Sequence, residues 1–182
     1  NIRVREALDL NARSLVNEKS ISSRGLIFRG DSLDNKGEIK TSLRADIYAR
    51  EEFKNRGLIR SLKELYISGS ESGAGIRKFE NHKGAILSAG DSGNASGILG
   101  LTVRNGTNDG KIQSSDYLGL HVRGGGILTN NGSIESDGVI DKIVDGQLVN
   151  NKRIKAKGGI KVDLHGALTN EKRADILSGD TA

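Results

Sequence analysis

The residues able to do chemistry in this chain are few and far apart. His82, His121 and His165 stand 39 and 44 positions from one another, and none sits in a His-Glu-x-x-His pair. With no cysteine at all, a structural zinc site has no thiolates to draw on. Gly106 to Lys111 reads Gly-x-x-x-Gly-Lys, one residue short of a phosphate-cradling loop, and Ile112 replaces the Ser or Thr that would hold a metal. Gly124-Gly125-Gly126 runs into Ile127-Leu128 rather than a calcium-binding nonapeptide. These residues read as surface and turn positions, and no catalytic residue, metal or cofactor is expected.

Two other patterns carry a functional reading beside a plain one. Arg29-Gly30-Asp31 would present a guanidinium and a carboxylate to an integrin-type receptor if it lay on an exposed turn. A turn between strands needs Gly and Asp in any case. Asp116, Asp137, Asp141, Asp145 and Asp163 could serve a polysaccharide lyase or glycosidase, which uses clustered carboxylates. Their offsets differ along the chain, so solvated faces explain them, with a stack of Asp116 on Asp137 the one juxtaposition worth testing. Asn94, Asn105 and Asn131 begin Asn-x-Ser/Thr triplets and read as turns.

The elements that would position these groups must be unusual. The 182 residues include 25 Gly, three Tyr and three Phe, and no Cys, Met, Trp or Pro. Aromatics and Met normally fill irregular gaps between packed layers, so this core must be regular and aliphatic. The net charge is +5 with the two signs interspersed, and no basic stripe with interleaved aromatics marks a nucleic-acid partner. No segment approaches the roughly 18 apolar residues of a membrane span, so no membrane insertion is expected. Residues 1–6 do not form a signal peptide.

A repeat supplies the regularity. An apolar residue lies two positions before each of Asn17, Asn35, Asn55, Asn81, Asn105, Asn130, Asn150 and Asn170. Isoleucine follows at +4 as Ile21, Ile39, Ile59, Ile134 and Ile154, and after longer turns as Ile86, Ile112 and Ile176. The intervals are 18, 20, 26, 24, 25, 20 and 20, in the range of solenoid repeats. Between anchors the apolar residues alternate, as in Leu99-x-Leu101-x-Val103 and Ile160-x-Val162-x-Leu164, which specifies short strands. The stretch from Leu43 to Phe53 could be helical by propensity, but its neighbours' anchors argue for strands.

A unit of about 22 residues made of short strands cannot bury its apolar face alone. Stacking one coil on the next at about 4.8 Å does so. The pattern therefore predicts an all-β chain: a right-handed parallel β-helix of about eight coils of 18–26 residues, forming one segment over residues 1–182. The eight asparagines are expected to form one ladder, each accepting αL geometry at its corner. A β-sandwich fits the strict repeat poorly, and a propeller blade needs about twice the period. Neither end reads as a polar cap, so the segment is expected to be a slice of a longer rod. If any face binds, the lengthened coils from Gly69 to Gly126 are the expected place, including the loop Gly90 to Ser96, although no aromatic cluster is apparent.

The anchors Leu128-Thr129-Asn130-Asn131-Gly132-Ser133-Ile134 and Leu148-Val149-Asn150-Asn151-Lys152-Arg153-Ile154 resemble the haemagglutinin repeats of filamentous-haemagglutinin-like bacterial exoproteins. That family is exported by two-partner secretion and includes contact-dependent growth inhibition effectors. The resemblance covers about residues 15–177. It implies a secreted, cell-surface stalk or adhesin segment, no enzyme, with virulence-related adhesion or presentation of distal binding or toxin domains. Its implied partners are an outer-membrane two-partner-secretion transporter and a receptor on a host or neighbouring bacterial cell. The absence of Cys fits threading through a pore unhindered by disulfides, and the absence of Pro suits a fully laddered backbone.

Overall fold

The computed structural model describes residues 1–91 and 96–179. Its strands are all parallel and no described residue is helical. Each coil places three short runs on three faces. One face is a nine-stranded sheet in strict sequence order, from Ile2–Arg3 through Ser20–Ser23, Glu38–Thr41 and onward to Asp175–Ser178. The other two faces carry the Leu-x-Leu runs, such as Tyr117–Val122, and the Leu-x-Asn runs, such as Gln147–Asn150. The described residues form about nine rungs, in keeping with the parallel β-helix of about eight coils expected; Ile2 pairs with Ile21 and builds a rung ahead of the first anchor asparagine. Residues Arg44–Asn55 form one continuous strand across two faces, so coil-to-coil pairing overrides the local helical propensity.

Identical positions stack into columns. Ile21, Ile39, Ile59, Leu87, Ile112, Ile134 and Ile154 are in register and buried, and Ile176 continues the column. Full burial of one such side chain contributes about 1.5–3 kcal/mol. Leu87 takes the place expected for Ile86, which pairs with Leu58 instead. The cause is the turn after Asn81, where His82 to Ala85 span four residues with Gly84 at φ 83°, against two in most other coils. In the neighbouring column Phe53 and Phe79 stack with ring centroids 5.4 Å apart. At the second corner stands a column of small residues that includes Ser61, Ser114 and Ser136. Ser114 donates to Ser136 at 2.9 Å, and Ser136 caps the Asp116 carbonyl at 2.8 Å.

The asparagine ladder is continuous but runs through Asn108, not Asn105. Asn17, Asn35, Asn55, Asn81, Asn108, Asn130, Asn150 and Asn170 are joined by seven Nδ2–H···Oδ1 bonds of 2.7–2.9 Å. The donor amides also reach a backbone carbonyl of the next coil, as Asn130 does to Arg153 at 3.0 Å. Asn105 lies three residues too early, exposed and opposite Lys78, where its Oδ1 accepts the Ile127 N–H at 3.0 Å. The position two before Asn108 is Gly106, where a Cβ would meet the Phe79 carbonyl oxygen at 2.2 Å. An anchor defined by an apolar residue at that position therefore slips to Val103. The true intervals are 18, 20, 26, 27, 22, 20 and 20, so two coils are long rather than three.

No ladder asparagine adopts αL geometry, since positive φ among the described residues is confined to glycine. The corner closes otherwise: the N–H after each asparagine bonds the asparagine carbonyl of the coil before, as Lys36 does to Asn17 at 2.8 Å. Two residues on, the chain passes directly over the previous carbonyl. A Cβ on Gly132 would lie 1.9 Å from the Gly110 oxygen.

Candidate functional site

The outward positions of the Leu-x-Leu face bring scattered residues together. One outward column reads Asp46, Tyr66, Gly100, Gly119, Asp141. Tyr48 pairs with Ser68 and Thr102 with His121, and a third column reads Arg44, Glu64, Ile98, Tyr117. Because Gly100 and Gly119 offer no side chain, tyrosine rings occupy the space above them. A Cβ on Gly100 would lie 2.7 Å from Tyr66 Cδ1, and one on Gly119 3.2 Å from Tyr117 Cε1. The result is a groove of about 300 Å³ bordered by all three tyrosines of the protein. The turn containing Glu71 and Gly73, closed by a Gly69 N–H to Ala74 carbonyl bond of 2.7 Å, forms its rim. The aromatic cluster absent from the linear sequence is thus present in the fold, from residues 18 and 51 positions apart.

The charges of the groove are largely paired. Arg44 lies over the Tyr66 ring at 4.6 Å, donates to Asp46 at 2.7 Å and to Glu64 at 3.1 Å. The Asp46 hydrogen bond holds its guanidinium charged well above the usual range. Glu71 pairs with Arg29, and the Tyr117 hydroxyl approaches Asp141 at 3.3 Å. Two buried polar atoms of the groove have no partner among the described residues: Asp46 Oδ1 and His121 Nδ1. Burial, helped by Arg123, lowers the His121 pKa and favours the neutral ring, and burial raises the pKa of each tyrosine.

Arg29, Gly30 and Asp31 lie within the strand Gly25–Asn35, at a register shift between Gly30 and Ser32, and not on a turn. Arg29 is paired with Asp9 at 2.9 Å and with Glu71, and Asp31 with Arg50 at 2.6 Å and Arg13 at 3.7 Å. Gly30 is required sterically, since a Cβ there would lie 2.1 Å from the Ala12 carbonyl oxygen. The carboxylates do not converge: Asp137 pairs with Lys157 at 2.9 Å, and His165 lies between Asp145 and Asp163 at 3.6 and 3.9 Å. Asp116 stands opposite Gly138 rather than Asp137, through the Val139 N–H to Asp116 carbonyl bond. His82 sits in a turn beside Glu80 at 3.4 Å. No group of three or more potential metal ligands occurs among the described residues. Asn131 is an exposed turn residue joined to Asp109 and Asn151, while Asn94 and most of the loop from Gly90 to Ser96 lie outside the described residues.

A concavity at the first rungs is lined by Arg3, Arg5, Arg24, Lys40 and Arg60, of which Arg24, Lys40 and Arg60 are paired with Glu6, Glu38 and Asp91. One buried residue escaped notice in the sequence. Lys142 points inward in the column Leu120, Lys142, Val162, fully buried, and its Nζ has no partner among the described residues. Burial alone pulls its pKa down to about 8. Its signal was available, because Ile140-x-Lys142-x-Val144 repeats the inward frame of Leu118-x-Leu120-x-Val122.

The chain matches no family model, no curated protein and no solved structure.

Proposed function

We propose that this chain is a rigid rod segment of a secreted bacterial surface exoprotein, a stalk that also carries an adhesive face. The observation that supports this most directly is the unbroken asparagine ladder, which couples every coil from Asn17 to Asn170 into one stiff column. Nine rungs at about 4.8 Å make a rod of roughly 40 Å. The resemblance to haemagglutinin repeats supplies the export route, with an outer-membrane transporter as partner during secretion and a cell-surface receptor afterwards. A chain without disulfides whose rungs each contact mainly their neighbours suits folding as it emerges from a pore.

The test uses the full-length protein in its native host. Antibody against this chain is expected to label intact cells, and protease added outside is expected to remove the signal. Deleting the cognate outer-membrane transporter should abolish surface labelling. Chain found only in the cytosolic fraction would overturn the reading. The glycosidase alternative gains nothing from the arrangement of the carboxylates, each of which is paired or isolated.

A further inference from the structure

The groove on the Leu-x-Leu face has the composition of a recognition site rather than of a solvated rod surface. Glycine at Gly100 and Gly119 removes side chains from two adjacent outward positions, and Tyr66 and Tyr117 lie over the vacated space. Flat aromatic surface on a rigid sheet is the arrangement that receives the C–H face of a sugar ring, and tyrosine combines such a face with a hydroxyl. We propose that this groove binds a neutral glycan, with pyranose rings packed against Tyr117 and the part of the Tyr66 ring that Arg44 leaves open, and sugar hydroxyls donating to the rim carboxylate of Glu71.

Charge selects the ligand class. Arg44 alone faces both Asp46 and Glu64, and Arg29 alone faces both Glu71 and Asp9, so carboxylate is in surplus, which disfavours an anionic polymer and leaves acceptor oxygens for uncharged hydroxyls. The unpartnered Asp46 Oδ1 and His121 Nδ1 are sealed from solvent, so the acceptor open to a ligand is the Glu71 carboxylate on the rim, whose side chain is 60% exposed. A sugar hydroxyl donates to such a carboxylate and still accepts a bond from a second partner. From the coil of Asp46 to that of Gly119 there are three rung steps, about 14 Å, the reach of a short oligosaccharide. The inference goes beyond the rod reading and stands whether or not the rod is exported.

The protein provides its own reporter. It has no tryptophan, and its three tyrosines all border the groove, so intrinsic fluorescence reads the site directly. The experiment is affinity electrophoresis of the purified chain through gels containing galactomannan, dextran or xyloglucan, with alginate as an anionic control, followed by fluorescence titration with oligosaccharides of the retaining polymer. Retardation in at least one neutral gel is expected, with a change in tyrosine emission. Tyr66→Ala and Tyr117→Ala should each weaken binding about tenfold, and Tyr117→Phe less than about threefold. Circular dichroism shows whether each variant is folded; should Tyr66→Ala unfold, Tyr117→Ala at a 37% exposed position decides alone. No retardation and no emission change with any neutral polymer, retardation by alginate only, or binding unaltered in folded Tyr117→Ala would each overturn the proposal.

Discussion

Asn81 donates its side-chain N–H to Asn108 across 2.7 Å, linking residues 27 positions apart, and its Nδ2 also reaches the Lys111 carbonyl at 3.3 Å. Both ends of this bond are fully buried. Asn108→Ala would leave the Asn81 amide short of an acceptor and the Asn130 carbonyl oxygen short of a donor. A loss of about 1–3 kcal/mol in urea unfolding is expected. Asn105→Ala, at an exposed position, should cost under about 1 kcal/mol; equal losses would remove Asn108 from the ladder.

Lys142 gives the rod a pH dependence. Its pKa is about 8 in the folded chain and 10.5 when free, so the unfolded state holds more protons between these values. Stability must therefore rise with pH from about 8 to 10.5, and the penalty is fully present below 8. Lys142→Met should stabilise the protein by about 2–3 kcal/mol at pH 7 and flatten that rise. Parallel pH profiles of melting temperature for the two proteins would count against a lowered pKa at Lys142.

Gly132→Ala tests the close passage of one coil over the carbonyl of another. Its new methyl would lie 1.9 Å from the Gly110 oxygen, where backbone cannot yield locally. Overpacking of this kind costs about 1–3 kcal/mol. An unchanged denaturation midpoint would mean that the coils can part at no cost.

Arg29→Ala and Asp31→Ala should each leave the melting curve nearly unchanged, because their ion pairs are largely solvated. With both charges committed to neighbouring coils, cell adhesion by the full-length protein should not change in either variant. Loss of adhesion in both, with the fold intact, would restore the receptor reading of the tripeptide.

Much of the fold could be read in advance because stacking makes one physical demand at every level. Ile39 must sit on Ile21 and Asn35 on Asn17, so the periodicity of the core is written directly in the chain. The periodic pattern breaks where a long coil changes what fills a column. Phe79 leaves no room for a Cβ at Gly106, and the anchor there has no apolar mark; the four-residue turn at His82 shifts Ile86 out of the column in the same way. The tyrosine groove was illegible for a different reason. It is assembled from outward positions, which core packing does not constrain, and its decisive members, Gly100 and Gly119, stand at the unspecified outward positions of Leu99-x-Leu101 and Leu118-x-Leu120, whose neighbours appear only once the register is known.

Every link of the ladder points the same way, from Nδ2 of one asparagine to Oδ1 of the next toward the C-terminus. The column is thus a one-way wire of aligned amide dipoles, in which each bond polarises its successor. A finished rung offers N–H donors to whatever follows it, while an arriving asparagine must present its oxygen. Growth in one direction is templated by hydrogens already aimed, and growth in the other is not. The rod carries an arrow in its interior, set by the orientation of a single side-chain amide per turn.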